Sequence, residues 1–311
     1  MTLSKQRARR RLRLYARWVP LAFLLPHLFV FLCFNVFPIV TGIFASFTKW
    51  TLGKSPVWVG LSNYASLLVN PDSIYYWQLR WGMLNTVKFV ALCVPFRILV
   101  PLMLALLLST KCRGHKLLQS CYYLPSLLSL SVVMVSWRYM FDSNAGIVNN
   151  FLNLGKLQWT TASPYNWIAL ILITVWWGCG SNLIIYQSAL AGVSADILEA
   201  ASVDGANALQ RFIHVTLPSI RFPLQYTLVV SVIAEFGIWG QPDMFNGGGP
   251  TLEVVSGVNR QANKMIMQYI AESGFGSSGV NAGIASAMAL LLGAVIFAVS
   301  LLQFSAMRKG D

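Results

Sequence analysis

Six apolar stretches, each about 20 residues long, constrain this chain more than any other feature. They cover residues 19–47, 85–109, 118–141, 167–190, 222–239 and 281–304. A hydrocarbon core about 30 Å thick needs about 20 residues of helix at ~1.5 Å rise each. Lipid offers the backbone no hydrogen-bond partners, so such stretches cross as helices. The expected fold is an all-α membrane protein with about six transmembrane helices. Charged residues make up only 11% of the chain, against about 25% in a soluble domain. Pro20, Pro26 and Pro38 lie in the first stretch, which predicts a tilted or kinked helix. This stretch follows a basic run, yet it is too long for a signal-peptide core and lacks a clear small-residue cleavage site. It is expected to be a retained anchor.

The net charge of +13 could suggest nucleic acid. The cations do not line one face, however; they gather as membrane topology gathers them. Lys5, Arg7, Arg9, Arg10, Arg11, Arg13 and Arg17 precede the first stretch, which places segment 1–18 in the cytoplasm. Six crossings return the C-terminal Met307-Arg308-Lys309 to the same side, and Lys111, Arg113 and Lys116 after the second stretch agree. The loop after the fourth stretch is cytoplasmic by the same count. Residues 19–311 then form one transmembrane domain, with that loop at about 191–221. Cys33, Cys93, Cys112, Cys121 and Cys179 show no C-x-x-C pairing, so neither a disulfide framework nor a zinc site is expected.

The loop is unusually elaborate for a connection between two apolar runs. Ser194 stands where a helix N-cap would, with Asp196 and Glu199 suited to the positive end of the dipole. Gly205 allows a break. A second helical piece is expected over 210–215, ending at Leu217-Pro218. Ala200, Ala201 and Ala206 would let a partner approach closely. A plain helix-turn-helix on the membrane surface fits the composition equally well.

The run Glu199-Ala200-Ala201-Ser202-Val203-Asp204-Gly205, continuing to Leu217-Pro218, resembles the EAA loop of permease subunits of bacterial ABC importers. The wider chain is similar to the carbohydrate branch, the maltose and glycerol-phosphate type permeases. Gly60-Leu61-Ser62-Asn63-Tyr64, Asn85-Thr86, Tyr123-Leu124-Pro125, Gly146-Ile147-Val148-Asn149 and Gly247-Gly248-Gly249-Pro250 occur in the order expected of that branch. The resemblance implies that the loop docks as a coupling helix in a cleft of a cytoplasmic ATPase. Glu199 would meet a basic group there, Ala200 and Ala201 would form the close-packed face, and Gly205 would allow the bend. Asp204, Leu217 and Pro218 would shape the loop. It also implies the partners: a second permease chain, usually making a heterodimer; two ATPase subunits holding ATP and Mg; an extracytoplasmic solute-binding protein; and the inner-membrane bilayer. No G-x-x-x-x-G-K-[ST] phosphate loop occurs in this sequence, so hydrolysis is expected in a separate chain and this one is not expected to be an enzyme.

Charges inside a span are costly and default to a functional hypothesis. Arg97 lies about 12 residues into the second stretch, near mid-bilayer at ~1.5 Å per residue, and Glu235 lies in the fifth. Both are expected to face the bundle interior, as a pair or as pore-lining groups; a structural bridge is the bland alternative. Sugar sites combine aromatic faces with amides and hydroxyls. Asn35, Trp137, Tyr139, Trp176, Trp177, Asn182, Tyr186, Gln187 and Trp239 are the candidates, although Trp and Tyr also gather at bilayer interfaces. Gly178 and Gly180 would permit close helix packing. The glycine run 247–249 is expected to be a flexible turn at the external mouth, and 241–280 to contain a short interfacial helix. A sugar or oligosaccharide is the expected substrate, with glycerol phosphate as the alternative. A secondary transporter would show internal repeats, and a scaffold would leave the loop unexplained.

Overall fold

The structure, a computed structural model, describes residues 19–20, 22–51, 53–110, 113–276 and 280–308. The basic segment 1–18 lies outside them. Among the described residues, four helices are long and apolar enough to cross a membrane, and two bent pairs bring the number to six if each pair is one span. The single helices are α1 (Ala22–Ser46), α3 (Ile74–Ser109), α7 (Tyr165–Ala191) and α13 (Ala282–Arg308). The bent pairs are α4 (His115–Leu127) with α5 (Leu130–Met140), and α9 (Ala208–Ser219) with α10 (Arg221–Phe236). Shorter helices are α2 (Ser62–Leu68), α6 (Ile147–Phe151), α8 (Ala195–Val203), α11 (Gly240–Asn246) and α12 (Ile266–Phe275). Two antiparallel hairpins join β1 (Thr48–Lys49) to β2 (Val57–Trp58) and β3 (Thr251–Val255) to β4 (Val258–Gln261).

Prolines in two helices sit beside widened turns. The first span is one continuous helix, and the second loop helix ends at Ser219, one residue past Pro218. In each case a π turn comes just before the proline: Leu32–Val36 ahead of Pro38, and Phe212–Thr216 ahead of Pro218. The amide of Phe37 bonds the carbonyl of Leu32, and that of Leu217 bonds Phe212. This wider turn frees the carbonyl that would clash with the proline ring and lets the helix run on.

The third span departs from expectation. The single helix expected over 118–141 is two helices bent by 101°. Leu128 and Ser129 adopt extended backbone, and Ser129 begins a new helix as N-cap, its hydroxyl accepting from the Val132 amide at 3.5 Å. The second span starts earlier than expected, since α3 extends back to Ile74 behind a Ser73 cap.

Helix α3 is the centre of the bundle. It packs against α7 along most of its length and against α10 and α12 elsewhere, while α1 lies against α13. Only 6% of the apolar window of α1 is buried, so most of that helix faces outward. Lipid tails are as apolar as leucine, so packing and interhelical hydrogen bonds hold such helices together.

The two ends of the bundle differ. At one end sits the loop made of α8 and α9. At the other, a cap is assembled from α2, α6, α11, α12 and both hairpins. Helix α7, spanning Tyr165–Ala191, connects the two ends. Its length is about 40 Å at ~1.5 Å rise per residue.

Candidate functional site

The loop is an exposed elbow. Ser194 occupies the N-cap of α8, but its hydroxyl makes no capping bond, and only Asp196 lies in the first turn. Glu199 falls one turn later than expected. Glu199 and Ala200 are exposed, whereas Ala201 is half-buried. Asp204 closes α8 at its C-cap, and Gly205 reverses the chain with φ +82°. Asn207 then opens α9 with a capping box: its side chain accepts from the Gln210 amide at 2.9 Å, and the Gln210 side chain accepts from the Asn207 amide at 2.8 Å. The Asn-x-x-Gln spacing is present in the sequence and marks a helix start earlier than the one expected at Gln210. Arg211 reaches back to the Ser202 hydroxyl and ties the two helices together. The concave side of the elbow, between Ala201, Gly205, Gln210 and His214, encloses about 360 Å³. Ile197, Val203 and Leu209 stand out on its surface at 54%, 88% and 66% exposure.

The second constellation lies inside the bundle, where Arg97 and Glu235 form an ion pair. Three helices meet at this level. Arg97 in α3, Gly178 in α7 and Glu235 in α10 stand at matching depths from the loop ends of their helices, at Ser109, Ala191 and Arg221. That depth is about 20 Å at ~1.5 Å rise per residue. Glu235 is 1% exposed and the Arg97 side chain 18%. Gly178 makes the room: a Cβ there would stand 3.1 Å from the guanidinium carbon. Asn182 donates to the Arg97 carbonyl at 3.0 Å. Pro101 follows four residues later and has no amide to take that carbonyl, so the Asn182 amide replaces the missing helix bond.

The remaining pathway candidates are not gathered into one site. Tyr186 is fully buried, its hydroxyl 2.6 Å from that of Thr227. The Gln187 side-chain oxygen is buried without a partner. Trp177 donates to the Leu128 carbonyl at 3.1 Å and so braces the break in the third span. Trp239 is at the cap end beside α11, 44% exposed. Asn35 and Tyr139 are exposed. Trp176 alone of the candidates lines a cavity of about 520 Å³, with Phe96, Val100, Tyr122, Pro125 and Val175. Its walls are almost wholly apolar.

The short motifs around the bundle turn out to be pins of the cap. Asn63 donates to the carbonyls of Ser46 and Thr48 at 2.8 and 2.9 Å. Asn85 donates to those of Gln261 and Lys264 at 3.2 and 3.0 Å. The Thr86 hydroxyl accepts from the Ile266 amide at 3.0 Å. Asn149 donates to the Leu157 carbonyl at 2.9 Å and accepts from the Trp159 indole at 2.8 Å. The glycine run is not a flexible turn. Gly249 has φ +78°, and a Cβ there would collide with the Asn263 side-chain oxygen. The helix expected in 241–280 is α12, but it is packed into the cap, with Ile266, Gln268 and Tyr269 buried. Burial and the neighbouring Glu272 carboxylate push the Tyr269 hydroxyl pKa well above its ordinary value.

The chain is thus a membrane helix bundle with an exposed two-helix elbow at one end and a pinned cap at the other. Residues 6–308 match the family described as "Binding-protein-dependent transport system inner membrane component". The chain belongs to that family and is an inner-membrane permease of an ABC importer. It is 34% identical over 220 residues to "Probable ABC transporter permease protein YesP" of Bacillus subtilis, covering 69% of each chain. It is 28% identical over 301 residues to "Arabinooligosaccharides transport system permease protein AraP" of Halalkalibacterium halodurans, covering 94% of this chain and 90% of the relative. A crystal structure of a bacterial alginate ABC transporter, in complex with its pentasaccharide-bound periplasmic protein, contains a chain of the same fold. The TM-score is 0.76 at 22% identity, with 96% of each chain covered.

Proposed function

We propose that this permease forms half of the translocation pathway for a sugar or oligosaccharide and couples it to a cytoplasmic ATPase through the loop 191–221. The observation that carries the coupling role is the elbow itself: exposed apolar residues on a frame braced by its own capping box and by the bond from Arg211 to Ser202. Docking then buries Ile197, Val203 and Leu209 without breaking a hydrogen bond. Glu199 offers an exposed carboxylate to a basic group, Ala200 and Ala201 allow close approach, and Gly205 sets the angle. Asp204, Leu217 and Pro218 shape the frame. In this reading the elbow is on the cytoplasmic side, in line with the cations of segment 1–18. The chain itself is non-catalytic; ATP and Mg belong to two partner ATPases. A second permease subunit, giving a heterodimer, and a solute-binding protein complete the importer. The relatives named for oligosaccharide and alginate transport support the carbohydrate assignment.

Within the membrane, the Arg97–Glu235 pair, with Gly178 and Asn182, holds α3, α7 and α10 together beside the cavity lined by Trp176. The pair carries no net charge, and truncating one partner of a buried pair costs more than removing both.

Co-purification tests the reading. The wild-type chain is expected to bring down an ATPase and to support vanadate-sensitive turnover stimulated by the binding protein. Glu199→Ala should insert normally and lose that stimulation. Binding-protein-stimulated turnover unchanged in Glu199→Ala would remove the loop from the mechanism.

A further inference from the structure

The cap holds a second, polar cleft of about 250 Å³, lined by Arg138, Asp142 and Gln158 with Thr161, Phe141 and Trp159. It lies where α5 ends and just before α7 begins, at the opposite end of α7 from the elbow. We propose that this cleft is a saccharide subsite, taking one neutral sugar residue at the outer mouth of the pathway. The proposal rests on the carbohydrate reading above and deepens it.

The charges in the cleft decide the ligand class. Arg138 and Asp142 line the same space, yet they do not pair, and among the described residues Arg138 forms no ion pair or hydrogen bond. Asp142 is held in place: one carboxylate oxygen accepts from the amides of Ala145 and Asn144, each at 2.9 Å. These bonds hold its pKa below the usual carboxylate value, so it stays ionised. Its other oxygen is left for a ligand. A free anion would meet the Asp142 charge, and a cation would meet Arg138. A ligand with vicinal hydroxyls satisfies both, donating to the carboxylate and accepting from the guanidinium. Gln158 adds an amide, and its side-chain oxygen already accepts from the Thr161 hydroxyl at 2.9 Å. Trp159, half-buried and backed by the buried Phe141, supplies the apolar wall on which the C–H face of a sugar ring packs. The volume equals that of about eight liquid waters at ~30 Å³ each, which suits a single ring.

The walls are fixed before any ligand arrives. Asn149 holds Leu157 and Trp159, and Asn246 of α11 donates to the Thr160 carbonyl at 3.3 Å. The cleft also connects to the membrane interior. Ring centroids step from Trp159 to Phe141 at 4.9 Å, from Phe141 to Trp137 at 5.2 Å and from Trp137 to Trp176 at 5.3 Å. Trp176 lines the intramembrane cavity. A row of neighbouring aromatic rings, tilted, stacked and edge-on in turn, therefore runs from the polar cleft to the apolar cavity.

The test uses the full-length permease in nanodiscs and the complete reconstituted importer. Saturation-transfer NMR on the nanodisc sample, with maltotriose and arabinotriose as probes, is expected to show binding by the wild type. Arg138→Gln and Gln158→Ala should each raise the Kd at least tenfold with an unchanged thermal midpoint. An unchanged Kd in Arg138→Gln overturns the subsite. So does wild-type permease that binds neither probe while the importer takes up either. Loss of affinity for the unliganded binding protein, with saccharide binding intact, also overturns it and makes the cleft a protein contact. If the importer takes up sn-glycerol 3-phosphate and neither saccharide, the carbohydrate reading falls, and the subsite with it.

Discussion

At the loop end, side-chain hydrogen bonds close within nine residues: Asn207 with Gln210, His214 with Gln210, Arg211 with Ser202. At the cap end they reach across the chain, from Asn85 to Lys264 and from Asn246 to Thr160. The elbow is thus a self-contained piece, tied to the bundle through the helices at its two ends. It can shift as a unit without breaking its own bonds. The cap is tied differently: Asn149 reaches only to Leu157 and Trp159, but Asn85 and Asn246 join segments far apart in sequence, so moving the cap as a unit would break bonds between those segments. A part that transmits movement to a partner benefits from the first arrangement. A part that must present fixed groups to an incoming solute benefits from the second.

The largest effect is expected between the two ends. Glu235→Gln leaves Arg97 buried without its counter-charge and should cost about 3–5 kcal/mol. Arg97→Gln should cost less, because a stranded carboxyl can take up a proton while a guanidinium cannot lose one. Thermal midpoints in detergent check the order, and the reverse order would remove the pair as the joint of the three helices. Next comes the cap. Asn149→Ala strands the Leu157 carbonyl and the Trp159 indole and should lose about 2–3 kcal/mol. Gly249→Ala meets both a left-handed backbone and the Asn263 side chain, and should lose about 1–3 kcal/mol. If the cap is a rigid platform, both variants lower the midpoint and slow amide exchange loses protection there; exchange confined to the elbow would contradict that contrast. At the elbow, Asn207→Ala removes one cap and should cost about 1 kcal/mol. Glu199→Ala is smallest for stability, within about 0.5 kcal/mol, yet it should abolish ATP-driven uptake. A Glu199→Ala variant as destabilised as Asn149→Ala would erase the difference between the two ends.

Much of this was legible in the chain. Hydrophobic stretches located the four long spanning helices and both bent pairs, because burial in lipid demands length and apolarity that few other structures need. Gly205 and Leu217-Pro218 marked the elbow, and the intramembrane positions of Arg97 and Glu235 singled them out together. The misses share a cause. The 101° break after Pro125 and the π turns before Pro38 and Pro218 depend on how a helix redistributes its own carbonyls, and composition does not record that. The glycine run 247–249 looked like slack and is a fixed turn, because the group that fills the missing side-chain space, Asn263, comes from a later segment.

The sequence alone therefore determined the class of protein, the apolar segments that form its long helices and the position of the elbow, since those follow from local apolarity, turn residues and motif order. Tertiary structure alone decided which polar groups meet. Arg97 found Glu235 across 138 positions, and Asn85 found Lys264 across 179. Arg138 and Asp142, four residues apart, face one cleft without pairing. Contacts of that kind depend on how helices are rotated against one another, and hydropathy along the chain does not fix that rotation.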